Sequence, residues 1–160
     1  MIATDRAGLF LTPFSGKDAA ALHALMQANR DHLTAHGDFR EQLALSISEL
    51  RSELEHTSAG HHRFGIFLNG ELIGRIDLNA VEPPRYGLGY WLAAGATGRG
   101  YAGASLRAVC SLAESIGATD LYAGVTHGNA RSVALLERAG FSVVERFERY
   151  TRFHLAFEAA

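Results

Sequence analysis

The stretch "GRGYAG", Gly98 to Gly103, spells G-x-G-x-x-G. It follows an apolar run and opens a helical pattern. Taken alone it is the fingerprint of a dinucleotide-binding turn, where bare backbone meets a pyrophosphate. Its neighbours decide whether that reading stands.

Downstream, "YAGASLRAVCSLAESIG" puts Ala102, Leu106, Val109, Cys110, Ala113 and Ile116 on one helical face, and Gly117 stops the helix. "DLYAGVT" then reads as a buried strand. "NARSVALLERAG" is a helix capped by Asn129, and "FSVVERF" and "RYTRFHLAF" are the last two strands. Upstream, the apolar runs of "RFGIFLNGELIGRIDLNAV" flank Asn69-Gly70, the strongest short hairpin signal. They predict antiparallel strands over 64–68 and 72–79. Pro83-Pro84 turns the chain, and "RYGLGYWLA" resumes as a third strand over 85–93. Before these, "LFLTPF" (Leu9–Phe14) is a short first strand. Two helices follow it, "GKDAAALHALMQANRDHL" and "FREQLALSISELRSELEH". No repeat or linker divides the chain. The expectation is one mixed α/β domain over 1–160, with about seven mostly antiparallel strands and about four helices.

That order argues against a nicotinamide-dinucleotide site. A Rossmann unit is parallel and carries an acidic residue about 20 positions on, closing the second strand. Here a hairpin series leads in, and the second strand ends "VTHGN". A P-loop is excluded as well, since no Gly-Lys-Ser/Thr closes the stretch. The physics of the turn survives. Gly98, Gly100 and Gly103 clear the backbone at a helix N-terminus, where free N–H groups and the macrodipole favour phosphate. Arg99 adds positive charge.

Bulk composition narrows the rest. The 160 residues carry a net charge of −2 and a pI near 6.4, with no electrostatic footprint for nucleic acid. No apolar run reaches the roughly 20 residues that span a bilayer. "MIATDRAGLF" lacks a basic region followed by an apolar one, so no secretory signal is expected. The lone cysteine, Cys110, suits a reducing cytoplasm and reads as core packing. Of the eight histidines, His32 and His36 lie four apart and His61 and His62 are adjacent. Without H-E-x-x-H or a second cysteine they read as solvated or loop residues, and no metal site is expected.

Together, "GYWLAAGATGRGYAGASL" and "NARSVALLERAGF" about 30 residues later resemble the GNAT superfamily of N-acetyltransferases, the RimJ/RimL type in particular. The likeness spans almost the whole chain. It implies a pair of strands splayed apart around coenzyme A, with the pyrophosphate of acetyl-CoA on the stretch Thr97-Gly98-Arg99-Gly100-Tyr101-Ala102. Gly103 continues that turn into the helix. The family has Gln or Arg where Thr97 stands. The resemblance also implies that Trp91, Leu92 and Ala93 line the pantetheine arm, with the amide near Leu92 polarising the thioester carbonyl. Asn129 and Ser132 form the N-x-x-S of the RimL-like branch, and Ser132 is the expected proton donor to the departing thiolate. Other members place a tyrosine slightly later, where this chain has Leu135 and Leu136.

The acceptor is an amine, and chemistry narrows it. A lysine amine near pKa 10.4 needs about 4 kcal/mol to be neutral at pH 7, whereas an α-amine near 7.7–8.0 already exposes a neutral fraction. A peptide N-terminus or a small amine is therefore expected over lysine. Asp77, Glu148 or a chain of water are the alternatives for removing its proton. Asp31 and Asp38, around the "HLTAHGDF" junction, either attract a cationic amine or serve as solvated caps. A non-catalytic acyl-CoA sensor is the alternative function. An exposed late strand offers an edge for a homodimer.

Overall fold

The computed structural model describes residues 1–56 and 58–158. Its strands are β1 (Ile2–Ala3), β2 (Leu9–Pro13), β3 (His61–Leu68), β4 (Glu71–Glu82), β5 (Arg85–Leu92), β6 (Asp120–Thr126), β7 (Ser142–Arg146) and β8 (Tyr150–Ala156). They form one eight-stranded sheet in the order β1-β2-β3-β4-β5-β6-β8-β7. Every neighbouring pair is antiparallel except β5 with β6.

The hairpin signal is honoured at Asn69 (φ 50°) and Gly70 (φ 86°), both left-handed as a two-residue primed turn requires. Its strands run longer than 64–68 and 72–79. His61 pairs with Asn79 across the ladder, its Nδ1 standing 3.0 Å from Asn79 Oδ1. His61 and His62 thus lie on a strand rather than in a loop. The strand not anticipated is β1, whose two residues are too few to leave an alternating pattern.

Among the described residues six α-helices stand where about four are expected: α1 (Ala19–Ala28), α2 (Arg30–Leu33), α3 (Arg40–Leu43), α4 (Ile47–Glu55), α5 (Tyr101–Ser115) and α6 (Ala130–Arg138). The surplus comes from two breaks that hydrophobic spacing does not register. At Asn29 the backbone leaves the helical region and Nδ2 donates to the Leu25 carbonyl at 2.8 Å. At Ser46 a capping box restarts the chain. Ser46 Oγ accepts from the Glu49 amide at 3.1 Å, and Glu49 Oε1 accepts from the Ser46 amide at 3.0 Å. No helix among the described residues is long and apolar enough to cross a membrane.

The sheet is covered on both faces. On one, Ala104, Leu106, Val109 and Ala113 of α5 meet Ile76, Leu78, Leu88, Leu121 and Phe153. On the other, Leu22, Met26, Leu50 and Leu54 of α1 and α4 close over Phe14 and Trp91. Strand alternation sorts β5 between them. Trp91, opposite Arg75, belongs to the second core, whereas Tyr90, opposite Ile76, packs against the first.

β5 and β6 pair only over Arg85–Gly87 and Asp120–Tyr122. Beyond Gly87 the ladder stops, while β6 stays bonded to β8 as far as Thr126–Tyr150. A parallel pair released halfway opens a wedge towards the C-terminal ends of both strands. The glycine turn leaves β5 and α6 begins after β6 at the mouth of that wedge.

Candidate active site

Gly98 (φ 74°) and Gly100 (φ 87°) hold the turn in a conformation that costs an L-residue roughly 1–2 kcal/mol. A Cβ at Gly98 would meet nothing within 4 Å; one at Gly100 would sit 2.6 Å from Arg6 Nη1. Gly100 is the N-cap of α5 and contributes no side-chain cap, so the first-turn amides through Gly103 have no partner within the helix. Gly98, Gly100, Tyr101, Ala102 and Gly103 all line one cleft of about 1020 Å³. Its size sits at the upper end of small-molecule sites, which run from roughly 300 to 1,000 Å³.

Arg6, on the turn between β1 and β2, pins this loop. Its Nη1 donates to the Arg99 carbonyl at 2.9 Å, and its guanidinium lies over the Tyr101 ring at 5.2 Å. Arg107, Arg131 and Arg138 also line the cleft. Arg107 is shared with Asp5 at 2.6 Å on an exposed surface. The Arg99 side chain is exposed and does not line the cleft; its carbonyl is what the turn uses. Thr97 lines the cleft, and its hydroxyl donates to the Ala94 carbonyl at 2.8 Å.

Trp91 and Leu92 line the cleft, but Ala93 does not. The Ala93 amide donates to the Ile73 carbonyl of β4 at 2.8 Å. Backbone groups of successive strand residues face opposite edges, so the Leu92 amide points away from β4, into the wedge.

α6 supplies the other wall. Asn129 Oδ1 accepts from the Ser132 amide at 3.2 Å, so Asn129 is the N-cap and fixes the first turn. Asn129→Ala should therefore cost about 1 kcal/mol of stability by denaturant unfolding, and no loss of stability would remove the capping role. Ser132 faces the wedge, and its Oγ lies 2.7 Å from the Tyr90 hydroxyl. Burial raises the Tyr90 phenol above its ordinary pKa, with the Ser132 hydrogen bond acting in the opposite sense. Tyr90 is a neutral phenol at physiological pH, able to donate.

The structure brings Trp91, Leu92, Gly98, Gly100, Tyr101, Ala102, Gly103, Asn129 and Ser132 to one cavity. Tyr90 and Arg6 are among the side chains of that cavity that the sequence leaves unassigned. Tyr90 was visible only as one of two alternating aromatics. Arg6 has no signal at all, since its partner is 93 residues away. Cys110 also reaches the cleft wall, half-buried; burial pushes its thiol up to about 11, so it is no nucleophile at neutral pH.

Neither carboxylate offered as a base reaches the cleft. Asp77 is gripped by Arg75 through Nε at 3.0 Å and Nη2 at 3.1 Å, and Arg75 also holds Glu53 at 2.7 Å. This cluster ties β4 to α4. Burial raises the Asp77 carboxyl despite Arg75. Glu148 is exposed in the turn between β7 and β8. Asp31 is exposed on α2, whereas Asp38 lines the cleft beside His32, His36 and Phe39.

A family model described as an acetyltransferase (GNAT) domain matches residues 8–142. Among curated proteins no sequence matches significantly. Solved structures share the fold at low identity. The ribosomal α-N-protein acetyltransferase RimL in complex with coenzyme A is 20% identical with a TM-score of 0.85, over 98% of both chains. RimJ of Mycobacterium smegmatis, with a CoA disulfide, is 24% identical with a TM-score of 0.77, over 92% of this chain and 81% of that one. The microcin C7 self-immunity acetyltransferase MccE, in complex with acetyl-CoA and AMP, is 16% identical with a TM-score of 0.81, over 95% and 94%.

Proposed function

Since the chain belongs to the GNAT acetyltransferases, we propose that it transfers acetyl from acetyl-CoA to a primary amine, a peptide N-terminal α-amine or a small amine. One observation carries this reading. Unpartnered amides of the glycine turn, the open edge of β5 and the Tyr90–Ser132 hydroxyl pair all face a single cleft.

The residues fit the coenzyme. The turn leaves space where a Cβ would stand at Gly98, and its first-turn amides suit a pyrophosphate. Arg6, Arg131 and Arg138 bring positive charge to the same cavity. The free edge of β5 suits an extended arm with amide groups, bound as an added strand is. When bound, acetyl-CoA supplies an activated thioester that a neutral amine attacks, the carbon–nitrogen bond forming as the carbon–sulfur bond breaks.

This chain's residues divide the remaining work. The Leu92 amide, pointing into the wedge, stabilises negative charge on the carbonyl oxygen. Ser132 Oγ gives its proton to the leaving sulfur, Tyr90 replaces that proton across their 2.7 Å contact, and Tyr90 regains one from solvent. The N-terminus of α6 favours the thiolate while it lasts. The amine proton passes to water, which suffices for an α-amine whose pKa is close to 8.

Removing only the relay, Tyr90→Phe should lower kcat about five-fold, a fraction of the 10²-fold typical of a whole general acid, with CoA affinity unchanged. An unaltered kcat would take Tyr90 out of the mechanism. The function itself is tested by CoA-thiol release against free-amine tetrapeptides and small amines. Turnover with at least one amine is expected. Tight CoA binding with no turnover across the panel would indicate a sensor domain instead.

A further inference from the structure

Asp38 is the one carboxylate among the described residues that line the cleft. Four arginines share that cleft, yet no arginine or lysine among the described residues stands within 4.0 Å of it. Its partner is instead the Thr126 hydroxyl, 2.8 Å from Oδ1 and 2.7 Å from Oδ2. One hydroxyl proton shared between two oxygens leaves most of the carboxylate's acceptor capacity unused.

The position is specific. Thr126 ends β6, three residues before the cap Asn129 and six before Ser132. Near by, His36 closes on the same turn, its Nδ1 about van der Waals distance (3.5 Å) from where a Cβ on Gly128 would stand. Phe39 adopts a left-handed backbone (φ 66°), unusual for a bulky residue, as the chain swings Asp38 to this wall. A half-buried carboxylate with no arginine or lysine of the described residues within 4.0 Å is thereby held beside the helix that carries Ser132.

Resting on the acetyltransferase reading, we propose that Asp38 is the acceptor subsite and receives the substrate's amine as its ammonium. An α-amine is mostly protonated at neutral pH, and an ammonium brings three donors to oxygens that Thr126 satisfies only in part. The substrate class follows: amines that arrive cationic, give up one proton to water before attack, and leave neutral as amides. The acetylated product loses the charge that Asp38 holds, which promotes its release.

Asp38→Asn separates this role from a plain latch, because asparagine Oδ1 still accepts from Thr126 while the charge is gone. Calorimetry on the CoA-loaded protein would compare a tetrapeptide with uncharged side chains and a free amino terminus against its N-acetylated form. In the unmodified protein the free amine should bind about 10-fold tighter, the size expected of a hydrogen bond to a charged group. That preference should vanish in Asp38→Asn and partly return in Asp38→Glu, with CoA affinity constant throughout. A preference that survives in Asp38→Asn, or never exists in the unmodified protein, overturns the proposal. A charge-dependent preference in a protein that transfers no labelled acetyl would support the subsite while refuting the acetyltransferase reading.

Discussion

Ser132→Ala should lower kcat by about 100-fold, the usual yield of a positioned general acid, while CoA affinity stays within experimental error. The separation follows from geometry. Ser132 touches the cleft through its hydroxyl, and its amide, which Asn129 caps at 3.2 Å, is untouched by the substitution. A thiolate is a fair leaving group on its own, a cysteine thiol having a pKa of about 8.5, so the variant should slow rather than stop. Steady-state kinetics paired with calorimetric CoA binding checks both halves. An unchanged kcat would remove Ser132 from proton transfer, and a parallel loss of CoA affinity would assign it to binding. Tyr90→Phe and Ser132→Ala should not be additive, because both interrupt the same proton path through the 2.7 Å contact.

The second large effect is expected at Gly100. Gly100→Val introduces a β-branched side chain at φ 87°, and its Cβ would stand 2.6 Å from Arg6 Nη1. Arg6 must then release the Arg99 carbonyl that it now holds at 2.9 Å, and the turn loses its brace. The added methyls also screen the first-turn amides from an anion. CoA affinity should fall at least about 30-fold, equal to roughly 2 kcal/mol. Because strain also lowers stability, Arg6→Ala provides the control. It leaves the glycine backbone intact and should weaken CoA by a few-fold through lost bracing and charge. Wild-type affinity in a folded Gly100→Val protein would show that the turn is not the phosphate cradle.

Much of the fold was legible because its signals are local. Asn69-Gly70 announced its hairpin by backbone conformation alone, and Gly117 and Gly140 stopped α5 and α6 at φ 90° and 96°. The order of strands and helices around "GRGYAG" was enough to set aside a parallel dinucleotide fold. Local signals fail where a side chain breaks a pattern without altering its hydrophobic spacing. Asn29 interrupts the first expected helix because Nδ2 takes the Leu25 carbonyl and Oδ1 accepts from the Ala94 amide at 2.8 Å. That second bond ties the junction of α1 and α2 to the exit of β5, and no periodicity encodes it.

The site divides along the same line. Backbone features could be placed from glycines and a capping asparagine. Side-chain partnerships across the sheet could not. Tyr90 meets Ser132 over 42 residues and Asp38 meets Thr126 over 88. Asp77 carried the right chemistry for a base, but Arg75, two residues away on the same face, grips it outside the cleft.

A crystal structure of this chain grown with CoA tests the central claim most directly. Diphosphate oxygens should lie within about 3 Å of the first-turn amides between Gly98 and Gly103, with the pantetheine arm along the open edge of β5. A diphosphate bound elsewhere, with those amides facing only water, would contradict it.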